Sequence, residues 1–454
     1  MANSYLSRTP SGAGSRVKWT YSVWLKRSKL GHQPIWAAST DSNNYDEFYF
    51  NSTDKIQFST VTSGTQKAIR TTRQFRDTSA FYHIVLVYDT GNSTDTDHAQ
   101  LWINGVRETS FEDTTLLASG ANNVQSNWNN TIEMKIGRVT TNTAAYFEGY
   151  MSHAAFVNDA VVAPTTFGET DSTSGIWKFK SPSGVTWGTN GFHLKFENSG
   201  NLGLDSSGQS NNFTTNGNLK QSLDTPSNSQ CTLNPNDVMR QSGGIYKPTF
   251  SNANTTMSAD GNYNYQTFGS LSPETGKWYW EFKVDVANTT GHRLGVFFGT
   301  DKTHSGSYYY GTDAFYIHQN GQIYYNGSST TYMASYTAND IISVAMDVTN
   351  GNIYMSKNGG ASDSTWADGS GNNNQAFPGT SVNGKLSASW ITGPATPFFD
   401  VYGTGNIQSI NFGDGFFGTT AITSAGSNGN GSLFEYDVPT GYYALNTKNL
   451  NTYG

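Results

Sequence analysis

The chain has 454 residues, a net charge of -7, only 13% charged residues, 14% aromatics and 48 glycines. This composition excludes a disordered chain, which lacks aromatics, and a nucleic-acid groove, which needs a broad basic field. The length exceeds what one core usually fills and predicts two or three domains.

In chain order, "KWTYSVWLKRS" alternates Trp19, Tyr21, Val23 and Leu25 on one face and predicts a strand. "RTTRQFR", with Arg70, Arg73 and Arg76, is the densest basic run and is expected to be a solvated strand edge or loop. In "FYHIVLVYDT", Ile84, Leu86 and Tyr88 alternate with Val85 and Val87, so both faces are apolar and the strand is buried on two sides. Ala99, Leu101 and Ile103 then alternate with Gln100 and Trp102, and Asn104-Gly105 supplies the positive φ values of a tight hairpin. "YFEGYMSHAAFV" gives a further strand.

From about 168 to 240 the apolar pieces are brief (Phe192, Leu194, Phe196), and Pro182, Pro226 and Pro235 punctuate them. This predicts a connector with a hairpin or two. Strand grammar then returns around Asn320-Gly321, Asn350-Gly351 and Asn358-Gly359, with Val344, Met346 and Val348 on one side. "TSAGSNGNGS" is a flexible-looking turn before "VPTGYYALNTKNL". No amphipathic helix of ten or more residues is expected. The fold class is all-β: two antiparallel β-sandwiches of jelly-roll type joined by an irregular connector.

"HIVLVYDT", "AQLWINGVRETSF", "KIGR" and "YFEGYMSHAAFVNDAVVAPTTFGETD" together resemble the laminin-G or concanavalin-like family over about residues 15–168. "MSADGNYNYQTFGSLSPETGKWYWEFKV", "RLGVFFGT", "DIISVAMDVTNGNIYMSKNGG" and "IQSINFGDGFF" resemble the SPRY family over about 245–415. The tandem order, the "DTPSN" connector and the "VPTGYYALNTKNL" end resemble virion proteins of tailed phages, notably marine ones. The resemblance implies domains at 1–168 and 241–418, a connector at 169–240 and a C-terminal segment at 419–454. It also implies a tail or head fibre on the outside of a particle. Its partners would be other virion proteins, further copies of the chain (as in a trimer) and a host-surface glycan, with no nucleic acid and no membrane insertion. The start "MANSYLSRTPSGAGSR" shows no apolar signal-peptide region, and no run of about 18 apolar residues occurs. Release by lysis fits both.

"SPETGKWYWEFKV" concentrates four aromatics. Trp278, Trp280, Phe282 and Val284 share one face by period two, and Tyr279, Glu281, Lys283 and Asp285 the other. This predicts one core face and one polar face, not a sugar platform.

Chemistry is sparse in the pattern. The alternate carboxylate pairs are Asp95/Asp97, Glu169/Asp171 and Glu435/Asp437, all in loop-like sequence. Retaining glycoside cleavage needs two carboxyls about 5 Å apart on one face, and no E-x-D-x-x-E pattern supplies them. Asp95 and Asp97 could offer oxygens to calcium, but no full ligand set is visible. The eight His residues are dispersed, and no zinc spacing, nucleophile elbow or phosphate loop occurs. The single Cys231 allows no internal disulfide. The expectation is a non-enzyme with no cofactor and no metal. Loop aromatics are the functional lead: Tyr308, Tyr309 and Tyr310 in "SGSYYYGTD", then Trp366 in "SDSTWADGSGNNN". Such rings can stack on the apolar face of a sugar while nearby Asn or Asp bind hydroxyls, or can pack under their own loops. A free adhesin and a glycan-degrading enzyme are the alternative functions.

Overall fold

The computed structural model describes residues 4–139, 145–238, 240–241, 244–298, 314–325, 328–379 and 394–454. The chain forms two compact units, Met1–Gln221 and Ser222–Gly454. Both are mainly antiparallel β. The α-helix found among the described residues is the seven-residue Thr447–Tyr453, and no helix there is long and apolar enough to cross a membrane.

The first unit packs an eight-stranded sheet against a six-stranded one. Lys18–Arg27, Tyr82–Asp89 and Gly149–Asn158 are neighbours in the six-stranded sheet, with Phe192–Leu194 at its edge. Gln33–Asp41, Asn44–Phe50 and Lys55–Thr62 are neighbours in the larger sheet. The alternation in "KWTYSVWLKRS" delivers Trp19, Tyr21, Val23 and Leu25 to the core. Trp19 meets Trp36 of the opposite sheet edge-on, ring centres 5.8 Å apart, and Trp36 packs on Trp128 at 3.9 Å. The loop carrying Trp128 is fixed by buried Asp46, which accepts hydrogen bonds from Ser126 Oγ at 2.5 Å and Trp128 N at 2.8 Å. The two apolar faces of Tyr82–Asp89 are both covered: Ile84, Leu86 and Tyr88 lie in the core, and Val85 and Val87 are buried on the reverse face. Asn104 and Gly105 have φ values of +49° and +77°, so Ile103 pairs with Val106 in a two-residue hairpin. Arg70 is bound to Glu112 at 2.5 Å and Arg76 to Asp54 at 3.1 Å.

The second unit packs a seven-stranded sheet, with Asn264–Gly269, Thr396–Tyr402 and His292–Phe297 adjacent, against a nine-stranded one centred on Lys277–Val286 and Ile341–Asp347. Phe282 lies parallel to Phe399 of the opposite sheet, ring centres 6.3 Å apart. The Asn350-Gly351 turn is wider than the first hairpin. Asp347 pairs with Asn352, Gly351 has φ +67°, and the Asp347 carboxylate holds Asn350 N at 3.0 Å.

Three expectations change. The stretch 169–240 is divided between the units. Phe192–Leu194 pairs with Gly149–Asn158, and Thr214–Asn216 with Tyr5–Arg8, so Phe192, Leu194 and Phe213 belong to the first core. Leu233–Val238 pairs with Asn264–Gly269 of the second unit. The C-terminal segment is also built in: Tyr443–Ala444 runs parallel beside Trp278 and Tyr279. Finally, the predicted polar face of "KWYWEFKV" is only partly polar. Trp278, Trp280, Phe282 and Val284 fill the core as expected, but Tyr279 and Glu281 on the other face have 0% exposure. Phe434, Val438, Tyr442 and Ala444 form a second apolar layer with Tyr279, Ala345 and Trp366.

Candidate functional site

The pairings that could support catalysis resolve into structural contacts. Ser22 Oγ lies 2.8 Å from His83 Nε2, the spacing of a nucleophile and its base. Trp177 Nε1, however, donates to His83 Nδ1 at 3.0 Å. An indole N–H can only donate, so Nδ1 is the acceptor and Nε2 carries the proton toward Ser22. This tautomer cannot take the serine proton. His83 is sandwiched between Trp24 at 4.5 Å and Trp177 at 5.9 Å, and burial lowers its pKa to about 3. The cluster fastens the hairpin of Gly168–Thr170 and Trp177–Phe179 to the sheet. His153, at φ +48° in a strand irregularity between Ser152 and Ala155, stacks on Phe179 at 3.8 Å and approaches His193 at 3.3 Å. No third His, Cys, Asp or Glu joins them in a metal-holding group among the described residues.

The carboxylate pairs are locally engaged. Asp97 binds Arg107 at 2.5 Å, a cation that would compete with calcium. Glu169 and Asp171 share Lys178 at 3.6 and 3.0 Å. Asp437 accepts from Ser362 Oγ at 2.5 Å and Ser427 N at 2.6 Å, and Glu435 accepts from Thr423 N at 2.9 Å. Tyr308, Tyr309 and Tyr310 lie outside the described residues. Trp366 is a correction to the sequence reading: it has 0% exposure, donates to Gly360 O at 3.1 Å and packs edge-on against Phe377 at 4.8 Å. With no open face, it has nothing to stack on a sugar, and it packs beneath its own loop instead.

A different part of the chain provides an open cavity. After Phe192–Leu194 the backbone turns out at Phe196, whose φ of +61° is a left-handed conformation rare for a bulky residue. Gln221 Nε2 holds the Phe196 carbonyl at 2.9 Å. The chain returns when Ser206 N donates to His193 O at 2.9 Å. Buried Asp205 locks that return: Oδ1 accepts from His193 N at 2.9 Å and Oδ2 from Asn211 N at 2.8 Å. Between the outgoing and returning arms is a cavity of about 160 Å³ lined by Lys195, Phe196, Glu197, Asn198, Asn201, Leu204 and Ser206. Asn198 shapes the loop, its Oδ1 accepting from Gly200 N at 3.0 Å. Lys195 and Glu197 stand 3.8 Å apart at the rim.

This arrangement combines an aromatic and an aliphatic side chain with an amide, a hydroxyl and one charge of each sign. It suits a small ligand with hydroxyls and an apolar C–H face. Only one carboxylate, Glu197, lines it, whereas glycoside hydrolysis uses two. The sequence reading missed this site because its residues fall in the expected connector. The signal available was the Asn/Gly/Ser-rich run following a short apolar strand, "FHLKFENSGNLGLDSSG".

Comparison with known proteins agrees with the division into units. Residues 2–165 match the family described as the concanavalin A-like lectin/glucanases superfamily, and residues 277–394 match the SPRY domain. The architecture is a concanavalin-like lectin domain followed by a SPRY domain. No curated protein matches the chain. Among solved structures, the SPRY domain of human HERC1 is 16% identical with a TM-score of 0.29, covering 39% of this chain and 96% of its own. Domain 4 of the extracellular arabinanase AbnA of Geobacillus stearothermophilus, in complex with arabinotriose, is 18% identical with a TM-score of 0.27, covering 34% and 67%. The heptameric SAP-like pentraxin of Limulus polyphemus is 13% identical with a TM-score of 0.29, covering 40% and 82%.

Proposed function

We propose that this protein is a carbohydrate-binding and partner-contacting module that works without turnover. The lectin-like unit takes a sugar at the 195–206 cavity, and the SPRY unit contacts a further partner. The observation that carries this reading is the cavity itself, with the Phe196 ring, the Asn201 amide and the Ser206 hydroxyl gathered in the same compact unit as residues 2–165, which match the concanavalin-like family. Neither polar group of that pair has a side-chain partner among the described residues. Binding of the whole chain to an immobilised glycan array tests it. The double substitution Asn201→Ala with Ser206→Ala removes two neutral hydrogen-bonding groups, each worth about 0.5–1.5 kcal/mol. It should weaken the wild-type glycan signal roughly tenfold or more. An unchanged signal, or no wild-type signal on any glycan, overturns the reading.

The finer reading places this module on the outside of a tailed-phage particle, as a tail or head fibre whose copies share the work of host attachment. Its support is the ordered set of sequence motifs, from the lectin-like half through "DTPSN" to "VPTGYYALNTKNL". Weak single sites suffice there, because avidity can exceed one site's affinity by about 10² to 10⁴. Mass spectrometry of purified particles decides it: a chain absent from them is a free adhesin.

A further inference from the structure

We propose a second carbohydrate contact on the SPRY unit: a surface platform made by Tyr246 and Tyr263, with Asn262 and Asp260 supplying the polar groups. It rests on the reading of the protein as a carbohydrate-binding module, but uses different residues from the 195–206 cavity.

The platform is built, not incidental. Tyr263 precedes the strand Asn264–Gly269, and its ring lies nearly parallel to Tyr246, 4.1 Å between centres and 11° between planes. Tyr265, two residues on, meets Tyr263 edge-on at 6.4 Å and 85°. Tyr265 is 4% exposed and anchors the group in the core, while Tyr263 is 49% exposed. The Tyr265 hydroxyl donates to Asp260 Oδ1 at 2.5 Å, which fixes the carboxylate beside the rings and leaves Oδ2 open. Gly261 allows the close approach: a Cβ there would stand 2.9 Å from the Tyr265 hydroxyl and 3.3 Å from the Tyr263 ring.

A stacked pair with one ring half exposed presents a flat apolar face at a cost in hydration. Asn262 is exposed beside it, and neither its amide nor the phenol hydroxyls of Tyr246 and Tyr263 has a hydrogen-bond partner among the described residues. A pyranose ring matches this surface. Its C–H face stacks on the phenol, and its hydroxyls donate to Asp260 Oδ2 and exchange hydrogen bonds with the Asn262 amide. A cationic ligand would be drawn to Asp260 and to the ring face, but would leave the N–H donors of the Asn262 amide unused. A purely apolar ligand would leave the carboxylate and amide unpaired. The partner class assigned is therefore a neutral oligosaccharide, held flat and open to solvent, so several linked residues can lie across it. This differs from the first cavity, whose volume of about 160 Å³ limits it to a terminal sugar residue.

The test uses the whole chain with cellotriose, maltotriose and chitotriose as probes, read by ligand-observed NMR and titration calorimetry. Tyr263→Ala should weaken the responding trisaccharide by up to about tenfold, the worth of one aromatic contact. Tyr263→Trp should restore it. Asp260→Asn should weaken it while leaving the melting temperature within about a degree of Tyr263→Ala. The Asn201→Ala/Ser206→Ala variant serves as the separate control. If trisaccharide binding survives Tyr263→Ala and is lost in the cavity variant, the platform is refuted and the carbohydrate-binding reading stands. If the wild type binds none of the three probes while the glycan array responds only through the cavity, the platform is refuted for neutral oligosaccharides. If neither assay gives a signal, both readings fall together.

Discussion

Glu281 offers the sharpest test of the packing in the second unit. It lies in mid-strand with 0% exposure. Its Oε1 accepts from Tyr436 N at 2.9 Å and Tyr279 OH at 3.2 Å, and its Oε2 from Glu435 N at 2.9 Å and Asn411 Nδ2 at 3.3 Å. Burial pushes its pKa up to about 7 from the ordinary 4.5, and the four donors only partly offset this. The native state therefore binds the proton more tightly than the unfolded state. Stability is greatest below about pH 4.5 and falls as pH rises through the window from 4.5 to 7, above which the loss is complete. At about 1.36 kcal/mol per pH unit, the loss is about 3 kcal/mol. In Glu281→Gln this dependence disappears, while its amide NH₂ must face one of the two backbone N–H groups, a fixed cost of about 1–3 kcal/mol. The assay is the melting temperature of the intact chain from pH 4.5 to 8 for both proteins, taken on the transition that the substitution moves. The wild type should lead clearly at pH 4.5, and the lead should shrink by roughly 6–12 °C by pH 8, given about 2–4 °C per kcal/mol for a unit of this size. Taking the difference between the two proteins cancels the other titrating groups. A lead that stays constant across the range would refute the argument.

The other predictions follow from burial and backbone geometry. Trp280→Ala should cost about 3–5 kcal/mol, read as a fall in melting temperature, because the indole is fully buried in the second core; an unchanged melting curve would contradict that placement. Gly105→Ala should cost more than the ~1 kcal/mol expected of a left-handed alanine, because at φ +77° its Cβ would lie 2.5 Å from the Trp177 ring. Denaturant unfolding of the whole chain reads this, and Trp177→Ala combined with Gly105→Ala should recover part of the excess.

Much of the fold was legible because alternation and burial coincide. Trp19, Tyr21, Val23 and Leu25 repeat at period two and all reach one core, and Asn104-Gly105 adopts the positive φ pair that only such residues take easily. Three kinds of element escaped. The strands Phe192–Leu194 and Thr214–Asn216 are three residues long, too short to display any period, so their surroundings passed for a connector. The cavity followed them out of view, because it depends on Phe196 holding a left-handed φ and on Asp205 binding backbone amides, neither of which leaves a spacing in sequence.

The third escape explains the most. A strand reading "WYWEFKV" has one apolar face and a mixed one, and mixed faces normally meet water. Here the mixed face carries Tyr279, and the covering residues Phe434, Val438, Tyr442 and Ala444 lie about 155–165 positions away, after the Gly/Ser/Asn-rich run "TSAGSNGNGS". No local rule connects the two. The link is Glu281: a lone acid between two core aromatics is costly unless donors reach it, and the donors are the backbone amides of Glu435 and Tyr436. An acidic residue inside an otherwise apolar aromatic strand is thus a sequence clue to a covering segment. The "VPTGYYALNTKNL" end is that segment's continuation, with Asn446 capping the final helix by accepting from Asn449 N at 2.9 Å and Thr447 N donating to Ser229 O at 2.9 Å. Cutting the chain before residue 433 would leave the Glu281 carboxylate without two of its four donors and would uncover Tyr279. The C-terminal motif is therefore part of what folds the second unit, and a chain cut at the end of the SPRY match, residue 394, would lose the interior strands Thr396–Tyr402 and Ile407–Asn411 as well as the cover for one sheet face.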